Sequence, residues 1–270
     1  MIFSDYGQLQ EMIFTTGGQK DDDEIFDSSE IIDLSGKGNL LCSSIPTQLP
    51  MKLTGLTGAI INGRTIIICG GRTYEQKTQK KCYILTDNGF KNLLNMTTMR
   101  TSASSIVTKD NKLWVSGDWL GKHGGGLSGL KSTELIDLKT LTSTRYVDLP
   151  DYMWGHKMVA INESTSILIG GVYDKASGSG WSNSTYFFDH LNEIWIPGPS
   201  LKFPRNMHTA GLMTPDPPHG QPILVVVGGF DRETSNYLSS VEILRDLSIS
   251  GQWEYGKHLH PLAQSYDFSY

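Results

Sequence analysis

The chain is poor in the features that staple, anchor or recruit a protein by charge. It carries 3 cysteines in 270 residues. At this length, burying roughly 70–75% of the unfolded surface suffices for folding without a disulfide framework. The formal net charge is −5, with both signs scattered along the sequence. No basic patch marks a nucleic-acid binder, so no nucleic-acid partner is expected. No apolar run reaches the length of a membrane span. The nearest, "LTGLTGAIINGRTIIICGG", is interrupted by Gly, Asn and Arg64. The opening "MIFSDYGQLQ" has neither a basic n-region nor a sustained apolar core and does not read as a signal peptide. The expected location is therefore cytoplasmic, or extracellular if the true N-terminus lies upstream. Helix signals are scarce, and short β-rich runs divided by Gly, Asn, Asp and Ser take their place.

What is present is a refrain. "MIFTTGG" ends on Gly17-Gly18, "TIIICGG" on Gly70-Gly71, "SILIGG" on Gly170-Gly171 and "ILVVVGG" on Gly228-Gly229, while "KLWVSGD" keeps Gly117 and has Asp118 beside it. These marks recur at intervals of roughly 50 residues, the signature of a repeat architecture. A second phrase follows each: "SSEIIDL", "KKCYILTD", "STELIDL", "STYFFDHL" and "SSVEIL". Each repeat reads as four short strands, in the last case "RNMHTAGLM", "ILVVVGG", "SSVEIL" and "GQWEYG". Near-continuous apolar runs such as "ILVVV" suit a strand covered on both faces. Small four-stranded sheets cover both faces by stacking around an axis. The predicted fold is all-β, a β-propeller of about five blades of four antiparallel strands. Its repeats span 1–50, 51–98, 99–150, 151–203 and 204–258, with 259–270 as a strand that closes the ring through the N-terminal blade. The alternative is an incomplete six-bladed ring.

The sequence resembles the kelch-repeat proteins over essentially the whole chain. The glycine pairs, the Tyr- or Glu-containing third strand and the Trp of the fourth strand carry the likeness, with Trp195 in "NEIWIPGPSL" and Trp253 in "GQWEYG". A basic residue ahead of a small-residue strand recurs in "FPRNMHTAG" and "MTTMRTSAS". Phe90 and Tyr146 stand where the second and third repeats would carry Trp. The resemblance implies a propeller that binds other proteins through its loop faces.

Gly17, Gly18, Gly70, Gly71, Gly117, Gly170, Gly171, Gly228 and Gly229 are expected to be structural. They would let the second strand turn with φ > 0 where neighbouring blades crowd. Trp195 and Trp253 are expected to pack between blades. Cys69 precedes a glycine pair and Cys82 opens the next strand, so the two face each other across a hairpin. They form either a disulfide worth roughly 3 kcal/mol in an oxidising compartment or two buried thiols, and Cys42 is left over. His156 and His208 hold equivalent places in "WGHKMVAI" and "RNMHTAGL". Other ligands at metal spacing are absent, so packing is expected there and no metal is assigned. "GKHGGGLSGLKST" (Gly121–Thr133) lacks the Gly-Lys-Ser/Thr at a helix start that a phosphate loop needs. Asn95, Asn162 and Asn183 each begin an Asn-X-Ser/Thr triplet. A chain rich in Ser and Thr supplies such triplets by chance, so they do not decide secretion.

The loops after the glycine marks carry Arg72, Tyr74, Trp119, Tyr173, Trp181, Phe230 and Arg232, residue types that interface hot spots use. These are the expected partner-binding residues. No nucleophile, cofactor fingerprint or metal cage is found, so no catalytic residue and no cofactor is assigned. A non-enzymatic scaffold with a protein partner is expected. The enzymatic alternative is a kelch-like copper oxidase or sugar mutarotase. A copper site would need a Cys close to a Tyr plus two His, whereas the cysteines lie in the first third of the chain. A further alternative is one module of a larger extracellular protein.

Overall fold

The computed structural model describes residues 2–5, 8–20, 24–33, 42–45, 47–62, 65–117, 129–175, 178–215, 220–231 and 236–257. They are all-β and fall into two compact bodies. The first comprises the chain up to Val115 together with Glu134–Tyr146, and the second comprises Ser116–Thr133 and the chain from Val147. Among the described residues no helix is long and apolar enough to cross a membrane.

The first body holds β1 (Ile2–Asp5), β2 (Gln8–Thr16), β3 (Ser29–Asp33), β4 (Cys42–Ile45), β5 (Thr54–Ile61), β6 (Thr65–Arg72), β7 (Lys81–Thr86) and β8 (Gly89–Asn95). With them go β9 (Ser104–Val107), β10 (Leu113–Ser116), β11 (Thr133–Asp137) and β12 (Thr142–Tyr146). They form three four-stranded sheets, β1 to β4, β5 to β8 and β9 to β12, each in chain order. The second body runs β13 (Met153–Trp154), β14 (Lys157–Ala160), β15 (Thr165–Ile169), β16 (Val172–Lys175), β17 (Gly178–Trp181), β18 (Thr185–Asp189) and β19 (Ile194–Pro197). It continues with β20 (Thr209–Met213), β21 (Ile223–Val227), β22 (Phe230–Asp231), β23 (Asn236–Tyr237), β24 (Val241–Leu244) and β25 (Trp253–Tyr255). Two further four-stranded sheets result, β14-β15-β18-β19 and β20-β21-β24-β25, with the small sheets β13-β16-β17 and β22-β23 beside them. Each four-stranded sheet lies inside one sequence repeat.

The N-terminal sheet takes its first strand from its own repeat, with β1 antiparallel to β2 and Ile2 opposite Ile13. The run Ile2–Asp5 is itself competent for a strand, and a neighbouring segment closes a hairpin at far lower loop entropy than a tail from the chain's other end. The tail proposed for that place, 259–270, lies outside the described residues.

The unbroken apolar runs follow from double coverage. Along β6, alternate residues point to opposite faces. Ile67 and Cys69 join a core with Leu113, Val115 and Ile136, whereas Ile66 and Ile68 join one with Phe14, Leu49 and Leu53. Each fully buried Ile or Leu there stabilises by about 1.5–3 kcal/mol. In the second body Ile167, Ile169 and Phe187 pack with Leu224, Val226, Leu244 and Trp253. The fourth strands β12 and β19 are largely exposed, as sheet edges.

The glycine pairs turn with positive φ, 64° and 117° at Gly17 and Gly18 and 58° and 94° at Gly170 and Gly171. The amide of the second glycine donates to a carbonyl at the start of the next repeat: Gly18 to Leu53, Gly71 to Arg100 and Gly171 to Arg205. The residue before each pair faces the start of the third strand. That pairing is Thr16 with Ser29, Cys69 with Cys82, Ile169 with Thr185 and Val227 with Val241. Thr16 and Ser29 join their hydroxyls at 2.7 Å. Cys69 and Cys82 are joined by a disulfide.

The fourth-strand tryptophans act as stitches. The Trp195 indole donates to the Asp148 carbonyl at 2.9 Å and the Trp253 indole to the Pro199 carbonyl at 3.0 Å, in each case reaching the end of the preceding repeat. Trp253 is buried, whereas Trp195 is half-buried with its ring 4.8 Å from Phe188. Tyr146 takes the aromatic place in its sheet, edge-on to Trp114 at 5.1 Å. Trp253→Ala should therefore cost about 3–5 kcal/mol and Trp195→Ala distinctly less, measured by urea denaturation. Equal losses would contradict the difference in burial.

Candidate functional site

Beyond each glycine turn the chain crosses to the third strand, and short pairings order these crossings. Isolated bridges join Gln19 to Ile25 and Arg72 to Thr78. In the fourth repeat the crossing becomes the β16-β17 hairpin, with Tyr173 opposite Gly180. The Tyr173 ring occupies the space a side chain at position 180 would need. In the fifth repeat β22 pairs β23 through Phe230 and Tyr237.

Asn206 gathers these loops in the second body. It is 3% exposed. Its backbone exchanges hydrogen bonds with Phe230, N–H to carbonyl in both directions at 3.2 and 3.0 Å. Its side-chain oxygen accepts the Trp181 indole N–H at 3.1 Å. Trp181 stands edge-on to Phe230 at 6.4 Å, and Phe230 lies 5.2 Å from Tyr237. Met207 follows with φ 52° and is well exposed. A positive φ on a non-glycine residue is uncommon and marks a constrained turn. The result is a partly exposed apolar and aromatic surface on a rigid base. Sequence reasoning assigned Trp181 and Phe230 but missed Asn206, Met207 and Tyr237. Asn206 is recognisable only as the residue after a recurrent Arg.

The other predicted residues fall elsewhere. Tyr74 is 56% exposed at a turn closed by Thr73 and Lys77, and is the one solvent-facing tip among the described residues of the set. Arg72 is half-buried and donates to Gln76. Tyr173, Trp181 and Phe230 are also half-buried, so they are anchors more than tips. Trp119, Arg232 and most of the glycine-rich stretch from Gly121 lie outside the described residues.

Each body also holds buried polar chemistry. Arg100 is fully buried and donates through Nε and Nη2 to Glu134, at 3.1 and 2.9 Å. Glu134 also accepts the Thr97 and Thr98 amides and the Ser143 hydroxyl. Burial alone would raise the Glu134 carboxyl, but Ser143, Thr97 and Arg100 outweigh it and hold the group below its usual range. Arg205 repeats the device with Glu242 at 2.6 Å, and Glu242 accepts the Lys202 and Phe203 amides. The residues at the matching places are Leu53 with Tyr83 in the second repeat and Met153 with Tyr186 in the fourth. In these four repeats charge occurs at both places or at neither.

His156 and His208 are each 1% exposed. His156 Nε2 meets the Ser116 hydroxyl at 2.9 Å. Burial, aided by Lys157, lowers the His156 pKa to about 3, and burial pushes His208 well below the ordinary value. Both are therefore neutral in the fold. A depressed pKa means that the unfolded chain takes up protons the folded chain refuses. The stabilisation is complete above pH 6.5 and is lost as pH falls toward 3. The loss should be about 2 kcal/mol per histidine at pH 5, read from melting curves between pH 7 and pH 5. His208→Phe should flatten the pH dependence, and an unaltered slope would place the sensitivity elsewhere. Among the described residues no group of three or more His, Cys, Asp or Glu could hold a metal ion.

No protein-family model matches the chain, and no curated protein aligns with it significantly.

Proposed function

We propose that the chain is a kelch-type β-propeller of five blades that serves as a non-enzymatic protein-binding scaffold. The observation that carries this reading is the surface of Trp181, Phe230, Tyr237 and Met207 fixed on Asn206. Pre-ordered aromatic anchors with partly exposed faces suit protein recognition, because little side-chain entropy remains to be lost on docking. The propeller reading is supported by five four-stranded antiparallel sheets in register with the repeat, by the shared turn chemistry of the glycine pairs and by strands covered on both faces. A copper-oxidase reading is weakened because Cys69 and Cys82 are committed to each other, which leaves Cys42 as the one remaining thiol. Tight stoichiometric copper in purified protein would revive it.

The test is partner capture from the native source, compared between parent and variants. Tyr237→Ala with Met207→Ala should lose the captured partner by at least about tenfold in affinity. Tyr74→Ala, on an exposed turn, should leave the melting temperature unchanged and serves as the control for the other loop. Full binding by the double variant would remove this surface as the docking point.

A further inference from the structure

The fold treats the three Asn-X-Ser/Thr triplets differently. Asn162 lies in the turn between β14 and β15, and Asn162, Glu163 and Ser164 are all exposed. Its Oδ1 accepts both the amide and the hydroxyl of Ser164, each at 2.9 Å. Two donors on the carbonyl oxygen draw electron density away from the amide nitrogen, which makes its protons more acidic and leaves Nδ2 to face solvent. Asn95 ends β8 with its side chain exposed, and Thr97 is exposed as well. Asn183 is built into the fold instead. Its Nδ2 donates to the Leu201 carbonyl at 3.2 Å, and the Thr185 hydroxyl, on a residue 1% exposed, donates to the Pro199 carbonyl at 2.8 Å. At Asn183 both groups that a glycosylating enzyme must engage are thus tied to backbone carbonyls of the fold, whereas at Asn162 the Ser164 hydroxyl meets the asparagine's own side chain in an exposed turn.

An independent observation bears on the compartment. Cys69 and Cys82 are both 0% exposed and are disulfide-bonded. Structural disulfides persist in the secretory pathway and outside the cell, where Asn-linked glycans are also installed, and are rare in the reducing cytosol.

We infer that Asn162 and Asn95 carry N-linked glycans and that Asn183 does not. In the transfer, Nδ2 of the asparagine attacks the anomeric carbon of an oligosaccharide carried on a lipid diphosphate. The nitrogen–carbon bond forms and the carbon–oxygen bond to the diphosphate breaks. The lipid diphosphate leaves with the bonding electrons, and one Nδ2 proton passes to a base of the transferase. No oxidation is involved. At Asn162 the sugar stands at the end of its sheet remote from Gly170-Gly171, since β15 runs between the two, and it leaves the Trp181 loop clear.

The experiment is a site map of the full chain from its native source. An amidase that removes Asn-linked glycans converts each occupied asparagine to aspartate, read by peptide mass spectrometry. Aspartate is expected at 162 and 95, with asparagine retained at 183. In the same cells Asn162→Gln and Ser164→Ala should each remove one glycan from the electrophoretic mobility, and Ser164→Thr should retain it. Asn162 or Asn95 bare in native protein, or sugar on Asn183, overturns the corresponding assignment.

Discussion

Replacing Glu242 with alanine is expected to cost about 3–5 kcal/mol. The substitution leaves the Arg205 guanidinium, 0% exposed, without its carboxylate, and strips the Lys202 and Phe203 amides of their acceptor. A buried charge deprived of its partner is penalised more heavily than the intact pair stabilises. The double variant Arg205→Met with Glu242→Tyr installs the combination that Met153 and Tyr186 supply one repeat earlier. It should recover most of the loss, to within about 1–2 kcal/mol of the parent, because buried ion pairs are replaceable by apolar groups of similar volume. Urea denaturation of Arg205→Met, Glu242→Tyr and the double variant beside the parent closes the cycle. A single variant as stable as the parent would mean that water reaches Arg205.

Gly70→Val should be comparably damaging. The backbone has φ +70° and a Cβ would overlap the Arg100 carbonyl oxygen. The left-handed conformation costs about 1–2 kcal/mol for a residue with a side chain, and forcing bulk against backbone adds about 1–3 kcal/mol. Gly18→Ala separates the two contributions, since that position has φ +117° but nothing within 4 Å of a Cβ. It should show the conformational cost alone. If the two variants lose the same stability, crowding by the next repeat is not what requires glycine at position 70.

Much of this architecture was legible in the sequence because the repeat states it five times. "ILVVV", "TIIIC" and "SILI" announced strands covered on both faces, and their flanking glycines announced turns. The pairing of Cys69 with Cys82 could be reduced to two outcomes from position alone. The buried Arg–Glu pairs were not legible. Arg100 and Glu134 are 34 residues apart, and nothing local distinguishes a buried arginine from a surface one until strand register aligns the third strands. The loop surface was legible only in part. Trp181 and Phe230 stand out by residue type, but their common support is Asn206, whose backbone bridge to Phe230 arises from tertiary structure and leaves no periodic trace. The burial of the loop aromatics was not legible either. An aromatic in a polar loop reads as a tip, yet the small β16-β17 and β22-β23 ribbons fold those rings back against their neighbours.

The cross-strand place before each glycine pair has a consequence for how such a chain can be altered. It is filled by two hydroxyls, by a disulfide, by an isoleucine with a threonine and by two valines on the same backbone geometry. The scaffold is therefore indifferent to the chemistry at this locus, and a covalent clasp is portable between repeats. An engineer could transplant the Cys69–Cys82 bond to positions 227 and 241, or erase it from its present place with a pair of valines, and so decouple the fold from the redox state of its surroundings one repeat at a time.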